Sequence, residues 1–573
     1  MSPSSGKLPT RQEIHLAISS FSRRQKTALL SLGIIFIASL VGMIWITNDH
    51  FLVDVAVPGG TLTEGIVGSP SHVNPLFAIT DPDRDVTSLV YSGLLKVGAD
   101  GQLIPDLAES YSVSSGGLVY DFKLKSNLTW QDGTKLTADD IIFTIGKAQD
   151  PSVKSPRRAG WEGMHVEKIN DHEVRFTLKK PYSGFLDNCT LGILPKHLWQ
   201  AIKPEAFLLS DLNIKGTGSG PYRIVSVTRD NTGLPNFYSL TAFAGYALGG
   251  PKITNLNLHF YDSDANIKTA FERGEIDSFG SIPPATALQL EQNGAKVIRI
   301  PLPRTFAVFF NQTQPALADI SVRRALAMAT DKKALVSDIL KGAGVAIDNT
   351  IPPGSEGYIE QNPTKLDLAG AGALLTRAGW RKGADGIWQK TDKKKKVVRL
   401  TFNLATAATP ELSGTANELA SQWEKLGAEV TVSVYDLSDL DQNLIRPRKF
   451  DALLFGEVLG RDPDLYSFWH SSQRQAPGLN IAQYVSATAD KLLEEARKED
   501  DPEVRAGLDE KFQTELAKDT PAVFLYSPYF LYVLPSKVGG ALFPSLLVPS
   551  ERFSTISDWY INRDRVWKIF ATK

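Results

Sequence analysis

Asp319-Ile-Ser-Val-Arg-Arg-Ala-Leu-Ala-Met-Ala-Thr-Asp331-Lys-Lys-Ala-Leu-Val336 is the stretch of this chain that decides its fold. Asp319 and Asp331 stand where N-cap residues belong, since a carboxylate there accepts hydrogen bonds from the unpaired amides of the following helix. The pattern therefore predicts two short helices joined end to end, with Gly342 and Gly344 ending the second one.

The first of these helices is predicted to be amphipathic. Its packed face, at helical spacing, holds Ala325, Leu326 and Ala329. Arg323 and Arg324 lie off that face.

Working outward, further short motifs accompany this stretch. They are Asn311, Pro105–Glu109, Leu128–Phe143, Gly216–Tyr222, Gly274–Asp277, Ala378–Trp380 and Arg461–Asp464. Each is weak alone, but together with Asp319–Val336 the set resembles, in the same order, the extracytoplasmic solute-binding proteins of ABC importers, family 5, which bind peptides and nickel. The resemblance runs from about Pro58 to near the C-terminus.

The resemblance implies an α/β fold of the periplasmic-binding-protein type, class II, with three lobes (cluster C). The first lobe would take 58–95, 195–304 and 527–573, the second 96–194, and the third 305–526. The chain would then cross between the two main lobes near Arg304 and near Tyr526. Two crossings make a hinge, which permits rigid-body closure around a ligand.

Local patterns agree with mixed helices and strands. Alternation predicts a strand over 118–124, a hairpin turning at Asn170-Asp171, and a hairpin topped by Lys393–Lys396 before a strand at Val397–Phe402. Helical windows cover 137–145, 267–273, 366–378, 415–426 and 489–497.

Composition excludes several classes of protein. A chain of 573 residues exceeds the size of one growing core, and its net charge of −1 gives no long-range attraction to nucleic acid. Cys189 is the single cysteine, so no internal disulfide and no thiolate metal cage can form, and a small buried apolar role is expected for it.

The N-terminus determines the compartment. Residues 27–47 carry no charge and are long enough to span a bilayer as a helix. Arg23, Arg24 and Lys26 precede them and Asp49 follows, so the positive-inside rule makes residues 1–26 a cytoplasmic tail and leaves the main domain outside, in the periplasm or extracellular space.

A cleavable signal peptide is the competing interpretation of this segment. Its apolar region is usually shorter, and no clear small-x-small cleavage site precedes the folded part, which favours an uncleaved anchor. No cysteine follows the apolar segment, so the lipid-modified cysteine of many family members is excluded.

The sequence offers no catalytic constellation. It has no His-Glu-x-x-His zinc motif and no Gly-x-Ser-x-Gly elbow, and Gly216–Gly220 lacks the Lys-Ser/Thr ending of a phosphate loop. The acidic stretch around Asp132 has the wrong spacing for a calcium loop. We therefore expect no enzyme, no cofactor and no metal site.

By resemblance, three loops should line the solute site: Asn74–Phe77 with Asp81–Asp85, the approach to Asn311, and Phe455–Pro463. The candidate ligand-binding residues are Asn74, Phe77, Asp83, Asp85, Asn311, Phe455, Glu457, Leu459, Arg461 and Trp469. Trp161 and Tyr484 are further aromatic candidates. For these two and for Trp469, a place in the core is the competing interpretation.

One family feature is altered here. In peptide-binding relatives an acidic residue a few positions before the proline of the third loop holds the ligand's α-amine, and Leu459 stands there. Glu457, Asp83 or Asp85 could supply the missing charge. Arg461 could clamp a carboxylate, or else form a surface salt bridge with Asp462 or Asp464.

These observations predict a bacterial, membrane-anchored solute-binding protein. It would capture oligopeptides or similar small solutes as a monomer and deliver them to the transmembrane and ATPase subunits of an ABC permease. Two alternatives stay open: a sensor or scaffold that uses the fold to bind a partner or an envelope component, and a binder of a nickel chelate or another non-peptide solute.

Overall fold

The computed structural model describes residues 10–114, 116–180, 184–360, 364–461, 464–499 and 501–570. The chain divides into two compact units, one made of Met1–Pro58 with Ile561–Lys573 and the other of Gly59–Tyr560. Residues 1–9 of the predicted cytoplasmic tail, and Asp462 and Pro463 of the third predicted loop, lie outside the described residues.

Helices and strands alternate along the chain, which confirms the mixed α/β prediction. The helices are α1 (Arg11–Ser19), α2 (Arg23–Phe51), α3 (Asp81–Val90), α4 (Ala138–Gln149), α5 (Arg158–Trp161), α6 (Phe185–Asn188), α7 (Lys196–Trp199), α8 (Asp264–Glu272), α9 (Pro284–Gln292), α10 (Ile320–Met328), α11 (Lys332–Ala334), α12 (Leu368–Arg377), α13 (Pro410–Leu426), α14 (Leu437–Asp439), α15 (Leu465–Trp469), α16 (Ala487–Ala496) and α17 (Pro502–Asp519).

The strands are mostly short. They are β1 (Leu52–Ala56), β2 (Thr61–Val67), β3 (Leu95–Val97), β4 (Leu103–Pro105), β5 (Ala108–Val113), β6 (Val119–Leu124), β7 (His165–Asn170), β8 (Glu173–Thr177), β9 (Tyr222–Arg229), β10 (Pro235–Ala242), β11 (Asn255–Tyr261), β12 (Ser278–Gly280), β13 (Val297–Pro301), β14 (Arg304–Phe310), β15 (Gly344–Ala346), β16 (Arg381–Lys382), β17 (Trp388–Thr391), β18 (Val397–Arg399), β19 (Thr401–Ala407), β20 (Glu429–Tyr435), β21 (Ala452–Val458), β22 (Ala522–Val533) and β23 (Arg563–Trp567).

The largest sheet has the order β20-β19-β21-β14-β22-β12-β2-β11-β10-β9, and β13 and β15 also pair with β22. A second sheet has the order β5-β6-β8-β7, within the range predicted for the second lobe. The predicted hairpins at Asn170-Asp171 and at Lys393–Lys396 are confirmed as β7–β8 and β17–β18.

The large sheet has two halves, one containing β14 and the other containing β13, and strand β22 belongs to both. Its first half pairs with β14, ending at Phe306↔Tyr526, and its second half pairs with β13, from Pro301↔Tyr529 onward. The chain thus passes between the two halves at 302–303 and at 527–528, close to the predicted crossings. The boundaries of the three lobes stay a prediction, and β23, which was expected in the first lobe, pairs with β1 instead.

The stretch that decided the fold forms the predicted helix pair. Asp319 caps α10 by accepting a hydrogen bond from the Ser321 amide at 3.0 Å, and Asp331 caps α11 by accepting one from the Ala334 amide at 3.0 Å. Ala325, Leu326 and Ala329 are fully buried in the core of this region.

Arg323 lies off the packed face of α10 and is nevertheless buried. It is 4% exposed, and its guanidinium donates to the carbonyls of Leu317, Asp519 and Thr520 at 2.7–2.9 Å. The physical reason is that the end of α17 leaves unpaired carbonyls beside α10, and a planar donor satisfies several of them at once.

The glycines at 216–220 allow their loop to pack closely against Val90 and Tyr91. A Cβ atom at Gly218 would lie 1.9 Å from the Val90 carbonyl oxygen, and one at Gly216 would lie 2.1 Å from the Tyr91 hydroxyl. This loop therefore rests directly on the end of α3, which carries part of the cavity described below.

Helix α2 contains the apolar segment predicted as a membrane anchor. It is 29 residues long, with a mean hydropathy of 2.5 over its most apolar window, and that window is entirely exposed. Its length and composition suit a membrane span, and a signal sequence would meet the same criterion. Part of the tail before it, Arg11–Ser19, is also helical.

Candidate functional site

A cavity of about 460 Å³ lies where four segments of the Gly59–Tyr560 unit meet. Small-molecule sites commonly have volumes of roughly 300–1,000 Å³, so this cavity has the size of a solute site. Its main lining comes from α3 and the residues around it, from the turn into α5, from the loop after α6, and from the short helix at Pro549–Phe553. Further lining residues come from β3 and from Asp106, Pro221 and Tyr246.

Two arginines form a cationic wall of this cavity. Arg157 donates from Nη2 to the Ala78 carbonyl at 2.9 Å, and its Nε has no hydrogen-bond partner among the residues that the structure describes. Burial, and then the nearby charge of Arg84, lower the pKa of Arg157. Arg84 itself has only a 3.6 Å contact with the half-exposed Asp81. An anion in the cavity would relieve this repulsion.

A buried polar group faces the cavity from another side. Lys96 donates to the Tyr246 hydroxyl at 3.0 Å, and Asp106 lies close to both. Burial lowers the pKa of Lys96 and raises the pKa of Asp106. The lining is therefore mixed in charge, as a site for a zwitterion would be.

Arg461 joins three distant segments at the edge of the cavity. Its guanidinium donates to the Gly101 carbonyl at 3.1 Å, pairs with Asp187 at 3.2 Å and bonds to Glu551. Asp187 and Glu551 both line the cavity, and burial raises the pKa of Glu551 although Arg461 opposes that rise. The carboxylates that Arg461 engages thus belong to the protein itself.

Arg461 does not form the surface salt bridge with Asp464 that was the alternative prediction. Asp464 instead pairs with Arg497 at 3.2 Å and accepts a hydrogen bond from Ser467 at 2.8 Å. The physical reason is that the Arg461 side chain, 13% exposed, points toward Asp187 and Glu551. The pairing predicted with Asp462 lies outside the described residues.

The first predicted loop lies beside the cavity, but its polar side chains are engaged internally. Asn74 is buried, donates to Asn213 and accepts from the Leu76 amide, both at 2.9 Å. Phe77 is buried against His72. Pro75 and Ala78, between and after them, are the residues that line the cavity.

Asp83 and Asp85 of α3 also have internal partners. Asp83 accepts hydrogen bonds from the amides of Ser71 and His72 at 2.7 and 2.8 Å, which ties the loop before α3 to the helix. Asp85 forms a bidentate pair with Arg552 at 2.7 and 2.8 Å. Neither carboxylate is available to a ligand amine in this structure.

The Asp85–Arg552 pair belongs to a buried network. Arg552 also donates to Glu64 at 3.0 Å, and Glu64 accepts from the hydroxyls of Tyr532 and Ser278. Burial raises the pKa of both Glu64 and Asp85. This network holds β2, α3 and the short helix of Arg552 together below the cavity.

The residues predicted from the other two loops are mostly part of the core. Asn311 donates to the Phe450 carbonyl at 2.8 Å, and Leu459 and Trp469 are buried in the main cluster. Trp469 donates to the Thr350 hydroxyl at 3.1 Å, and Phe455 is partly buried against the same cluster. Tyr484 likewise belongs to that cluster, and Trp161 alone among the aromatic candidates lines the cavity.

Glu457 is different from these residues. It lies in β21 opposite Thr305, is 5% exposed, and within the described ranges its Oε2 atom has no hydrogen-bond partner. Burial alone raises its pKa well above the usual glutamate range. A buried carboxyl without a partner is costly, which makes it a candidate for a contact that the solute completes.

Sequence reasoning missed the two arginines of the cationic wall. Arg84 sits within a helix start rich in aspartate, and Arg157 follows Pro156 next to a second arginine, Arg158. Of Arg157 and Arg158, only Arg157 lines the cavity, and Arg158 pairs with Glu162 at the surface. The available signal was an arginine pair after a proline, which does not tell which of the two faces inward.

The described part of the chain holds no group of three or more His, Cys, Asp or Glu side chains that could bind a metal. Cys189 is buried, and burial raises the pKa of its thiol, as an unreactive core cysteine requires. A bare metal ion is therefore a poor match to these residues.

Comparison with known proteins adds a family match. Residues 102–480 match the model of the bacterial extracellular solute-binding proteins, family 5. The oligopeptide-binding protein AppA of Bacillus subtilis is 29% identical over 94% of this chain and 99% of its own length. The dipeptide-binding protein of Escherichia coli is 26% identical over 87% of this chain and 93% of its own.

Solved structures agree with these relatives. The structure of AppA from Bacillus subtilis in complex with a nonapeptide is 28% identical, has a TM-score of 0.65, and covers 89% of this chain and 100% of its own. NikZ from Campylobacter jejuni, in complex with Ni(L-His), is 27% identical with a TM-score of 0.66 and covers 87% of this chain and 99% of its own.

Proposed function

The chain belongs to the bacterial extracellular solute-binding proteins of family 5, and from this premise we propose that it is the receptor of an ABC importer for oligopeptides or similar small solutes. It binds the solute outside the cytoplasm and delivers it to the permease with its ATPase subunits. The protein acts as a monomer and performs no reaction on the solute. The observation that carries this proposal is the mixed-charge cavity with its underpaired Arg157.

The receptor is tethered by an uncleaved α2. The positive charges before the apolar segment support a cytoplasmic position for residues 1–26 and an extracytoplasmic position for Gly59–Tyr560. The 29 residues of α2 would extend about 43 Å at 1.5 Å per residue, which exceeds the roughly 30 Å of a bilayer core. A tethered receptor stays near its permease without the lipid-modified cysteine that this sequence lacks.

The cavity binds the charged ends of a peptide. Arg157, with Arg84 beside it, receives a carboxylate, because a charge-assisted hydrogen bond satisfies the Nε atom and offsets the repulsion between the two guanidinium groups. Asp106 of the lining, whose Oδ1 atom has no hydrogen-bond partner among the described residues, is a candidate for the contact with an amine, and Glu457 is a second candidate. Solute bound between segments that only meet when the lobes close would stabilise the closed state.

A matched pair of variants tests the carboxylate contact. We expect Arg157→Gln to weaken the binding of a peptide with a free C-terminus by about 10-fold to 100-fold, the range for one charge-assisted hydrogen bond. Arg158→Gln is the control, since Arg158 is exposed and pairs with Glu162. Isothermal titration with the full chain in detergent gives the dissociation constants.

The same titration with a C-terminally amidated peptide completes the cycle. The amide should bind the wild type and Arg157→Gln equally, because the charge recognised by Arg157 is gone. Equal losses for the acid and the amide would mean that Arg157 only supports the fold of the cavity. Native mass spectrometry of gently purified full chain would identify the solute it carries, and an apo mass after incubation with a peptide pool would count against peptide capture.

A nickel chelate is the second candidate solute, because the Ni(L-His) complex of NikZ shows that a protein of this fold binds one. The chelate would have to bring its own ligands, since the described residues offer no metal cluster. Binding of Ni(L-His) but of no peptide in the same titration would favour this candidate.

A further inference from the structure

The outer end of α2 is joined to the C-terminus of the chain. Strand β1 starts at Leu52, directly after α2, and pairs antiparallel with β23 from Leu52↔Trp567 to Ala56↔Arg563. Because the pairing is antiparallel, β23 runs back toward the helix and its last residue, Trp567, lies next to the helix end. All of these contacts lie within one compact unit.

Side chains reinforce this pairing on the helix itself. The Trp567 indole donates to the Asn48 side chain at 2.8 Å, and its ring stacks on Phe51 with the centroids 6.0 Å apart. Arg565 pairs with Asp49 at 2.8 Å and lies 3.8 Å from Asp54. Asn48, Asp49 and Phe51 belong to the end of α2. Removal of the helix would therefore remove these contacts of β23.

The two strands alone do not explain the stability of this arrangement. A two-stranded sheet is marginally stable in water, and exposed ion pairs such as Arg565–Asp49 contribute little. The pair also exposes apolar side chains: Phe51 is 46%, Trp567 is 42% and Ile569 is 77% exposed. Something must cover them.

We propose that β23 and the end of α2 form a membrane clasp, in which Phe51, Trp567 and Ile569 contact the lipid interface and fasten the C-terminus to the anchor. The occupant follows from position: these side chains adjoin the non-cytoplasmic end of α2, whose apolar window has no buried residue. Tryptophan prefers the headgroup region, where its ring is shielded and its N–H is hydrogen-bonded, and Lys568 adds a positive charge that suits anionic headgroups.

This inference rests on the proposed membrane anchor and goes beyond it. The chain passes between the two units twice, after Pro58 and before Ile561. Solute capture is not required for the clasp, so the two proposals can fail separately.

The lipid contact is tested with nitroxide labels on the full chain in vesicles of phosphatidylcholine and phosphatidylglycerol at 3:1. The label is placed at Ile569→Cys and, as a control, at Leu209→Cys, which is 87% exposed on the other unit. The native Cys189 is buried. Power saturation should show position 569 accessible to oxygen and shielded from a water-soluble nickel reagent, and position 209 the reverse. An aqueous signature at 569 equal to that at 209 would overturn the proposal.

The strand pairing is tested by disulfide formation in the same membranes. Val53 and Val566 are direct partners, whose Cα separation of about 4.5–5.5 Å suits a disulfide, whereas Val53 and Asp564 are two residues out of register. Val53→Cys/Val566→Cys should cross-link on mild oxidation and Val53→Cys/Asp564→Cys should not. Equal cross-linking in both pairs, or none in the first, would refute the clasp. Loss of peptide binding with both results intact would count only against the proposed solute.

Discussion

Glu457 has a buried Oε2 atom with no hydrogen-bond partner among the described residues. Its carboxyl is buried opposite Thr305, and burial raises its pKa. Because the pKa of Glu457 is higher in the folded state than in the unfolded state, the free energy of unfolding is largest below the ordinary glutamate pKa. It decreases as the pH rises from that pKa toward the pKa of the folded state. Each unit of the rise corresponds to about 1.4 kcal/mol.

Glu457→Gln should therefore abolish a pH-dependent loss of stability. The melting temperature of the variant should match that of the wild type at pH 4 and exceed it at pH 8, in the absence of solute. Scanning calorimetry across this range measures the difference, with the exposed Glu205→Gln as control, which should follow the wild type throughout. If Glu457 also binds the amine of the solute, the same variant gains stability and loses affinity together. Unchanged peptide affinity would remove Glu457 from the site.

Asp85 leads to the opposite expectation. Replacing it by alanine leaves Arg552 with only Glu64 and breaks a buried bidentate pair, which typically costs about 3–5 kcal/mol. Thermal unfolding should reveal this loss for Asp85→Ala, while Asp264→Ala, an exposed aspartate in the first turn of α8, should change little. The peptide dissociation constant of the folded Asp85→Ala fraction should stay within a few-fold of the wild type, and a far larger loss of affinity would restore Asp85 as a ligand residue.

These aspartates show where sequence reasoning ended at this scale. The helix caps Asp319 and Asp331 could be predicted, because a cap acts on amides two or three residues away. The partner of Asp85 lies 467 residues later, and two of the three carbonyls that hold Arg323 lie almost 200 residues later. No local pattern carries such information.

At the scale of elements, the segment from β21 to α15 makes two different connections. Arg497, which directly follows α16, contacts Asp464 and lies 4.4 Å from the ring of Tyr466, within the region predicted as the third lobe. Arg461 instead reaches Gly101, Asp187 and Glu551, which belong to the ranges predicted for the other two lobes. Arg461 is therefore placed to link closure to the wall of the cavity.

Arg461→Ala should accelerate solute release. Without it, Glu551 stays buried without its ion pair, and the segments that close the cavity lose a shared contact, so we expect the off-rate to rise about 10-fold with little change in the on-rate. Surface plasmon resonance with immobilised peptide measures both rates. Arg497→Ala is the matched control and should keep the wild-type off-rate. A lower melting temperature with unchanged rates would limit Arg461 to a structural role.

Elements with a strong local period were predictable, and those set by tertiary contact were not. The hairpins β7–β8 and β17–β18 and helices α12 and α13 follow the predicted windows within a few residues, apart from an earlier start of α13. The third predicted loop, Phe455–Pro463, begins inside strand β21, and the core position of Leu459 could not be assigned from the sequence. Leu459 is a core residue because its amide continues the ladder by donating to the Pro303 carbonyl at 2.9 Å.

For the whole molecule, we propose that the long strand β22 forms the hinge between the lobes. It pairs with β14 on one side of Ser527-Pro528 and with β13 on the other, and the Ser527 hydroxyl donates to the Leu302 carbonyl at 3.0 Å. The two places where the chain passes between the halves of the sheet are thus bonded to each other. Side-by-side crossings confine movement to a hinge, which is what closure around a solute requires.

A solute that binds only the folded protein must raise its melting temperature. At a free concentration 100 times the dissociation constant the stabilisation is about 2.7 kcal/mol, whatever the chemical identity of the solute. A thermal scan can therefore rank candidate solutes before any of them is known to be transported. Peptides with free termini should shift the transition upward, and the same peptides with both ends blocked should shift it far less, since the cavity wall is charged.

Nickel separates the remaining candidates in the same scan. Nickel chloride alone should give no shift, because the described residues offer no cluster of metal ligands, whereas Ni(L-His) would give one if the chelate is the solute. Free histidine without nickel is the control for recognition of the amino acid alone. A shift with peptides and none with the chelate would support peptide import. A shift with the chelate and none with peptides would assign the cavity to a chelated metal, with Arg157 as the contact for its carboxylate.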